Sequence, residues 1–386
     1  MRPSRPTRRH FLASSAGIIG AWTLAGRTAN GADEPKPAAG ELERKAVAFL
    51  RGRQDRDSGA WSIDRKEPGI TALVVTAILR SGLVTPAEPV AARGLDYLEQ
   101  FVDPKGGLNQ ASHANYATAI GLMAFQQANK NGRYDALIKG GQDFLKTMQW
   151  DESEGKDRSS DFYGGAGYGG KNSRPDLSNT AFMVEALRET GLPADDPALK
   201  KALVFVSRCQ NLKGEFNDQP WAGKVNDGGF VYNPAPGGGR EGARKGGGGG
   251  QGAGDGGVRS YAGMTYSGLK SMIYAGLTQD DPRVKAAVAY IQKHYSVEEN
   301  PGLGQSGLYY YYQTFARAMA LLGKPTLVDG EGKEHDWRAD LVAALAKRQD
   351  PNGSWVNRAD SFMEGDPNIV TSYGLLALAA ARRPGG

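Results

Sequence analysis

The sequence has 386 residues, 40% of them hydrophobic, which is enough for one large domain or two ordinary ones. Its formal net charge is +5, but residues 1–32 hold five arginines and no acid, so the remainder has 42 basic and 42 acidic residues. This balance excludes a global positive field for binding nucleic acid or anionic membranes. The single cysteine, Cys209, excludes an intrachain disulfide framework.

Residues 1–32 resemble a twin-arginine export signal. Arg8 and Arg9 precede the mild apolar run FLASSAGIIGAWTLAG, and small residues follow around Asn30. An amphipathic start to the first helix is the alternative. The apolar run has 16 residues, whereas a membrane span needs about 20. We therefore predict a periplasmic or otherwise extracytoplasmic protein, anchored to the membrane only if the signal is uncleaved, with a linker at 33–40.

A repeated pattern covers residues 41–382. An aromatic residue and an aliphatic one are followed, after three more residues, by Gln in the clearest copies and by another residue in the looser ones. The steps between copies are 48, 47, 61, 85 and 54 residues. The copies begin at Phe49, Tyr97, Phe144, Phe205, Tyr290 and Ala344. A period near fifty residues predicts six structural units.

Each unit pairs two kinds of helix. The first is amphipathic, as in DPRVKAAVAYIQKHY (281–295), and the second is apolar nearly all round, which suits burial on both sides. The second helices are predicted at 71–82, 116–128, 179–187, 265–276, 312–323 and 371–381. These two helix types predict two concentric layers of helices. Six hairpins favour an all-α (α/α)6 toroid, with an open solenoid as the alternative.

Glycines punctuate the units. Gly59, Gly214 and Gly353 each precede an aromatic by two residues, a pattern expected to end the first helix and fold the aromatic over it. Residues 237–257 are so rich in glycine that they are predicted to form a mobile insertion.

With these turns, the sequence resembles the terpenoid cyclase and protein prenyltransferase family. The family's repeat joins Gln to Trp across a glycine turn, matched here by Gln54-Asp-Arg-Asp-Ser-Gly-Ala-Trp61 and Gln349-Asp-Pro-Asn-Gly-Ser-Trp355, with a degraded copy from Gln210 to Phe216. The resemblance implies an (α/α)6 toroid whose inner helices surround an apolar cavity. It also implies an apolar small molecule or lipid as the ligand.

Residues 301–323 resemble an aromatic segment of bacterial squalene cyclases. In such a cavity aromatic faces can stabilise a carbocation. The residues expected to line the cavity are Tyr266, Tyr309, Tyr310, Tyr311, Tyr312, Phe315 and Tyr373. For any one of the tyrosines the alternative is packing between helices with its hydroxyl hydrogen-bonded.

Residues 176–180 are similar to the Asp-x-Asp-Asp-Thr acid motif of squalene cyclases. Asp176 and Thr180 match, but Ser178 and Asn179 replace the second and third acids. The resemblance makes the second acid the proton donor, and a serine hydroxyl cannot protonate an alkene. Asp176 and Asp227 remain the candidate acids of a terpene cyclase-like isomerase, whose activity is left open. Asp176 can alternatively cap the helix that begins near Leu177.

Other cofactor and metal chemistry is not supported. Residues 165–172 fit a phosphate loop except that Asn172 replaces the metal-binding Ser or Thr. Cys209 stands alone, and His113, His294 and His335 are isolated, so the zinc site of prenyltransferases is not matched. No cofactor and no metal are predicted.

Two alternative functions remain open. One is a non-catalytic scaffold, with unidentified protein partners. The other is a polysaccharide lyase or glycosidase, in which Tyr163, Tyr168 and Trp221 would stack on sugars near Asp161. A groove lined by carboxylates would favour carbohydrate, whereas a closed aromatic pocket would favour lipid.

Overall fold

The computed structural model describes residues 39–61, 67–108, 113–169, 173–234, 252–253 and 257–382. The predicted export signal (1–32) lies outside these residues. Most of the glycine-rich insertion (237–257) also lies outside them. At its end, β1 (Gly252–Ala253) and β2 (Gly257–Val258) pair as antiparallel strands. A second antiparallel pair joins β3 (Leu327–Val328) to β4 (Glu334–His335).

The described residues form thirteen helices, twelve of them in two layers. The outer helices are α1 (Ala39–Arg53), α3 (Pro89–Glu99), α5 (Asp135–Thr147), α7 (Pro197–Arg208), α10 (Pro282–Lys293) and α12 (Trp337–Arg348). The inner helices are α2 (Pro68–Arg80), α4 (Ala114–Ala128), α6 (Leu177–Glu189), α9 (Ala262–Tyr274), α11 (Leu308–Leu322) and α13 (Pro367–Ala381). A short helix, α8, spans Ala222–Val225.

The inner helices form a closed ring. Each packs against the next in chain order, and α13 packs against α2. Because the last inner helix contacts the first, the open-solenoid alternative is excluded and the predicted all-α (α/α)6 toroid is confirmed. Within the described part of the chain, no helix is both long and apolar enough to cross a membrane.

Burial explains the two helix types. The inner helix α2 is buried on nearly every face, since it lies between the outer layer and the ring axis. The outer helix α5 buries only the face carrying Ile138, Gly141, Phe144 and Leu145. Apolar residues all round therefore mark the inner layer, and a one-sided stripe marks the outer layer.

The repeated glutamines join neighbouring units. In four units, the Nε2 of the glutamine donates to the carbonyl of a turn glycine and to a carbonyl near the start of the next outer helix. These residues are Gln54, Gln149, Gln210 and Gln349. The last of them, Gln349, donates to Leu42 O in α1 at 3.0 Å. The same contact that connects consecutive units thus also closes the ring.

A threonine near the start of the inner helix recurs from unit to unit, as the glutamine does. In five units its Oγ1 accepts the backbone N–H of the residue that follows the glycine turn. These threonines are Thr71, Thr118, Thr180, Thr265 and Thr371. Thr180, which matches the acid motif, therefore makes the same contact with the glycine turn that the equivalent threonine makes in four other units.

The predicted glycine turn at Gly214 was wrong. Gln210 donates to Gly228 O at 2.9 Å, not to Gly214, and the aromatic that follows this turn is the fully buried Phe230. Phe216 is exposed instead. The unit is lengthened by the segment containing α8, so the short spacing from Gln210 to Gly214 does not span the actual turn.

Candidate functional site

Six tyrosines form a connected group near the N-terminal end of α6. Four of them lie near enough to Asp176 to interact with its charge: Tyr168, Tyr232, Tyr261 and Tyr310. Tyr373 packs edge-on against Tyr310, and Tyr116 contacts Tyr373. We call this group the tyrosine mouth; its members are Tyr116, Tyr168, Tyr232, Tyr261, Tyr310 and Tyr373. The Tyr310 hydroxyl lies 3.0 Å from Ser178 Oγ and 3.0 Å from Ser267 Oγ. Because Ser178 is on α6 and Tyr310 on α11, this contact crosses the ring between helices that are not neighbours.

Aromatic contacts continue the tyrosine mouth across the axis. The hydroxyls of Tyr116 and Tyr373 lie 3.2 Å apart, joining α4 to α13. Phe182 packs edge-on against Tyr116 and Tyr310, with centroid distances of 5.1 and 6.2 Å. The side chains along this part of the axis are thus aromatic and joined by hydrogen bonds across it, whereas the resemblance implies an apolar cavity enclosed by the inner helices.

Asp176 is buried and caps α6. Its Oδ1 accepts the backbone N–H of Asn179 at 2.8 Å, and its Oδ2 accepts the Asn179 side-chain amide at 2.8 Å. Burial raises the pKa of Asp176 to about 6, although hydrogen bonds from Asn179 and Tyr232 act to lower it. Both oxygens of the candidate acid are therefore engaged by the residue that replaces an aspartate of the cyclase motif.

Asp227, the second candidate acid, has different partners. Its Oδ1 accepts the Gly229 N–H at 3.0 Å and the Ser260 hydroxyl at 2.7 Å. These contacts fix the glycine turn that precedes α9. The structure does not bring Asp227 into hydrogen-bonding contact with Asp176, so the two acids do not form a pair.

The predicted cavity residues divide into two groups. Tyr310 and Tyr373 belong to the tyrosine mouth. The other five pack between the inner and outer layers, where Tyr311 donates to Ser296 O at 2.5 Å and Tyr312 to Val297 O at 2.6 Å. This second group comprises Tyr266, Tyr309, Tyr311, Tyr312 and Phe315. The phase of α11 explains the split, since successive helical residues point about 100° apart.

Glu364 is a site residue without a local sequence signal. It reaches the start of α11 from the loop between α12 and α13, where its Oε1 accepts the Tyr310 N–H at 2.8 Å. Its Oε2 accepts the Asn357 amide at 2.6 Å. Burial raises the pKa of Glu364 to about 7. The tyrosine mouth thus has a second buried carboxyl beside Tyr310.

Charged residues occupy the axis towards the opposite end. Lys270 Nζ lies 2.5 Å from Glu185 Oε2, and both side chains are buried. Arg80 and Arg317 both pair with Glu189, so charges on α2, α6 and α11 meet across the ring. We call these five residues the axial ion network. Burial opposes the charge of Glu185, but Lys270, Arg317 and Arg80 outweigh it and lower its pKa.

The residues considered for sugar stacking or zinc are dispersed. Trp221 is buried and donates to Pro234 O, and Tyr163 donates to Glu152; only Tyr168 belongs to the tyrosine mouth. Cys209 is buried, which raises its pKa. Among the described residues, no group of three His, Cys, Asp or Glu side chains is placed to hold a metal ion.

Replacing Asp176 with Asn should change how stability depends on pH. The folded state binds the Asp176 proton more tightly than the unfolded chain does, so ionisation costs stability as the pH rises from about 4 to about 7. Asn caps helices but does not ionise. Relative to wild type, D176N should therefore gain about 1–3 kcal/mol in free energy of unfolding between pH 4 and 7.5.

Urea titrations at both pH values measure this difference, and D157N is the control. Asp157 is exposed, and a hydrogen bond from Ser159 lowers its pKa, so most of its contribution is already present at pH 4. The difference between D157N and wild type should change much less than that of D176N. If the difference in free energy of unfolding between D176N and wild type were the same at both pH values, the raised pKa of Asp176 would be contradicted.

Comparisons with solved structures agree with the toroid. Over 89% of this chain, the type II terpene cyclase MstE from Scytonema is similar with a TM-score of 0.53 and 14% identity, covering 97% of that chain. A family 76 glycoside hydrolase from a bovine Bacteroides thetaiotaomicron strain is similar over 89% of this chain and 77% of its own, with a TM-score of 0.55 and 10% identity. A protein from Actinoplanes gives a TM-score of 0.51 at 15% identity, with 89% and 99% covered.

These likenesses show the fold alone. Terpene cyclases and family 76 hydrolases are both α/α toroids, and the present chain shares that architecture. No protein-family model matches the sequence, and no curated protein matches it either.

Proposed function

We propose that this protein is an exported α/α toroid that binds an apolar, isoprenoid-like molecule at the tyrosine mouth without cyclising it. The observation that carries the proposal is the state of the acid motif. Asn179 engages both oxygens of Asp176, and Ser178 is hydrogen-bonded to Tyr310. The aromatic surface is present, but the proton donor that the resemblance implies is not.

The acidity of Asp176 supports the absence of cyclisation. Protonating an alkene requires a strong carboxylic acid that still holds its proton. With a pKa of about 6, Asp176 is mostly ionised at neutral pH, and its protonated form is a weaker acid than an ordinary aspartic acid. It therefore serves as a helix cap in this proposal.

Exposed apolar side chains near the tyrosine mouth support binding of an apolar ligand. Tyr168 is 40% exposed and Met363 is 62% exposed. Phe362 and Met363 have positive φ angles of 61° and 63°, and Phe362 lies against Gly307 at the start of α11. Strained, exposed residues of this kind cluster at ligand sites. Below them the contacts of Tyr116 with Tyr373 and of Phe182 with Tyr310 cross the axis, which limits the ligand to a shallow position.

Geranylgeraniol binding tests this function. We expect native mass spectrometry to detect a complex with wild-type protein, and Tyr168→Ser to weaken binding about tenfold, since losing one well-placed aromatic contact costs about 1–1.5 kcal/mol. The matched control is Phe216→Ser. Phe216 is an aromatic of nearly equal exposure, 39%, in the lengthened unit away from the tyrosine mouth.

The same samples test cyclisation. Gas chromatography of extracts after incubation with squalene or geranylgeraniol should return unchanged substrate. A cyclised product would contradict the inactive acid motif. Equal geranylgeraniol binding by wild type and Tyr168→Ser would remove the tyrosine mouth as its site, and no binding at all would favour the scaffold alternative.

Carbohydrate chemistry is the second candidate, favoured by the two buried carboxyls near Tyr310. Asp176 and Glu364 both have raised pKa values, as a general acid of a glycosidase does. Each, however, is already engaged by backbone N–H groups as a helix cap. Release of reducing sugar from α-mannan by wild type, and its loss in Glu364→Gln, would support this candidate over lipid binding.

A further inference from the structure

A polar cavity of about 190 Å³ lies at the end of the ring opposite the tyrosine mouth. Its polar wall is formed by Arg80, Gln127, Glu189, Gln313 and Arg317, and its apolar wall is formed by α13. This volume is large enough for several water molecules or for a small organic molecule. Along α6, Glu189 is eleven residues from Ser178, or about 16 Å at about 1.5 Å per residue. The cavity is therefore separate from the tyrosine mouth.

Gln313 lines this cavity and carries a buried acceptor that has no partner. Its side chain is only 4% exposed, and its Oε1 has no hydrogen-bond partner among the described residues. A buried acceptor without a partner is unfavourable, and most such groups in proteins are satisfied by protein, water or a ligand. A hydrogen-bond donor on a molecule in the cavity would therefore satisfy Gln313 Oε1.

Arg317 supplies an unused donor one helical turn away. Its Nε donates to Tyr274 Oη at 2.9 Å, and its Nη2 pairs with Glu189. Within the described part of the chain, its Nη1 makes no hydrogen bond, and the side chain is 29% exposed. Since residues four apart share a helix face, Gln313 and Arg317 present an acceptor and a donor to the same space.

The charges of the axial ion network favour an anion. Arg80, Lys270 and Arg317 contribute three positive charges, against two negative charges from Glu185 and Glu189. These five residues thus carry a net charge of +1. A monoanion would neutralise it, whereas a dianion such as phosphate at pH 8 would overcompensate.

We propose that this cavity binds a small carboxylate that also carries a hydroxyl group. The carboxylate accepts from Arg317 Nη1, since guanidinium groups pair readily with carboxylates. The hydroxyl group donates to Gln313 Oε1, and the hydrocarbon part lies against α13. The ligand is recognised by the combination of these three contacts.

Isothermal titration calorimetry at pH 8 with four probes tests the site. Glycerate carries both recognised groups, propionate lacks the hydroxyls, glycerol lacks the carboxylate, and inorganic phosphate is mainly a dianion at this pH. We expect glycerate to bind at least about tenfold more tightly than each of the other three, which is the effect of losing one hydrogen bond or ion contact. Propionate or phosphate binding as tightly as glycerate would overturn the proposal.

Two variants locate the binding. Gln313→Leu removes an unpartnered buried acceptor, so it should fold as well as wild type yet lose the preference for glycerate over propionate. Arg317→Gln should abolish binding of both carboxylates. Arg133→Gln changes an exposed arginine of the outer surface and should bind like wild type. Unchanged glycerate affinity in Gln313→Leu would place the ligand elsewhere and refute the assignment.

Discussion

Lys270→Met should lower the free energy of unfolding by about 3–5 kcal/mol, because breaking one side of a buried ion pair leaves a buried charge without its partner. Lys270 Nζ lies 2.5 Å from Glu185 Oε2 on the ring axis, where both side chains are almost inaccessible to solvent. Arg80 and Arg317 stay within 3.6 and 3.4 Å of Glu185, which places the expected loss towards the lower end of this range.

Urea unfolding at neutral pH measures this loss, and Lys139→Met is the matched control. Lys139 pairs with Asp143 at the same 2.5 Å distance, but the two side chains are 67% and 57% exposed. Its loss should stay below about 1 kcal/mol. The double variant Lys270→Met, Glu185→Leu removes both charges and should recover most of the stability. Equal losses in the two single variants would show that burial does not govern this pair.

Gly164→Ala should destabilise the protein by more than about 3 kcal/mol, because it combines a left-handed backbone with a direct clash. Gly164 has φ +84°, and a Cβ there would lie 1.9 Å from Lys201 O and 2.4 Å from Lys201 C in α7. Accommodating the methyl group requires the turn and the outer helix to separate. The Gln149 amide, which donates to Gly164 O at 2.8 Å, would be displaced too.

The control for this experiment is Gly155→Ala. Gly155 has a similar φ of +70°, but no heavy atom lies within 4 Å of a Cβ built there. Only the backbone strain applies, so the expected loss is about 1–2 kcal/mol. Denaturant midpoints of the two variants separate strain from clash. Comparable losses would mean that close packing of the turn on α7 contributes little.

The toroid was predictable because the repeated hydrophobic pattern reflects which faces of each helix are buried. Residues small and apolar on every side mark the inner helices, and the observed bounds differ from the predicted ones by only a few residues. The interpretation of Asp176 as a cap placed the start of α6 at Leu177, two residues before the apolar pattern begins at 179. The helix α13 starts at Pro367 because proline suits the first turn, and this proline signal, used together with the hydrophobic pattern, would have placed its start as well.

The candidate site was less predictable because its contacts are long-range. Ser178 meets Tyr310 across 132 residues, and Tyr116 meets Tyr373 across 257 residues. The run Tyr309 to Tyr312 indicated an aromatic segment, but only the phase of α11 shows that Tyr310 faces the axis. Glu364 had no local signal, since it caps a helix of the preceding unit. Such contacts depend on how the ring closes rather than on neighbouring residues in the chain.

Closure of the ring by Gln349 and Leu42 has a consequence for unfolding. In an open array of repeats, terminal units have one neighbour and fray first, so unfolding proceeds stepwise from the ends. Here the first and last units are each other's neighbours, and every unit is held at two interfaces. The structure is therefore expected to lose its units together, in one cooperative transition, and a chain truncated before Gln349 would expose two bare interfaces at once.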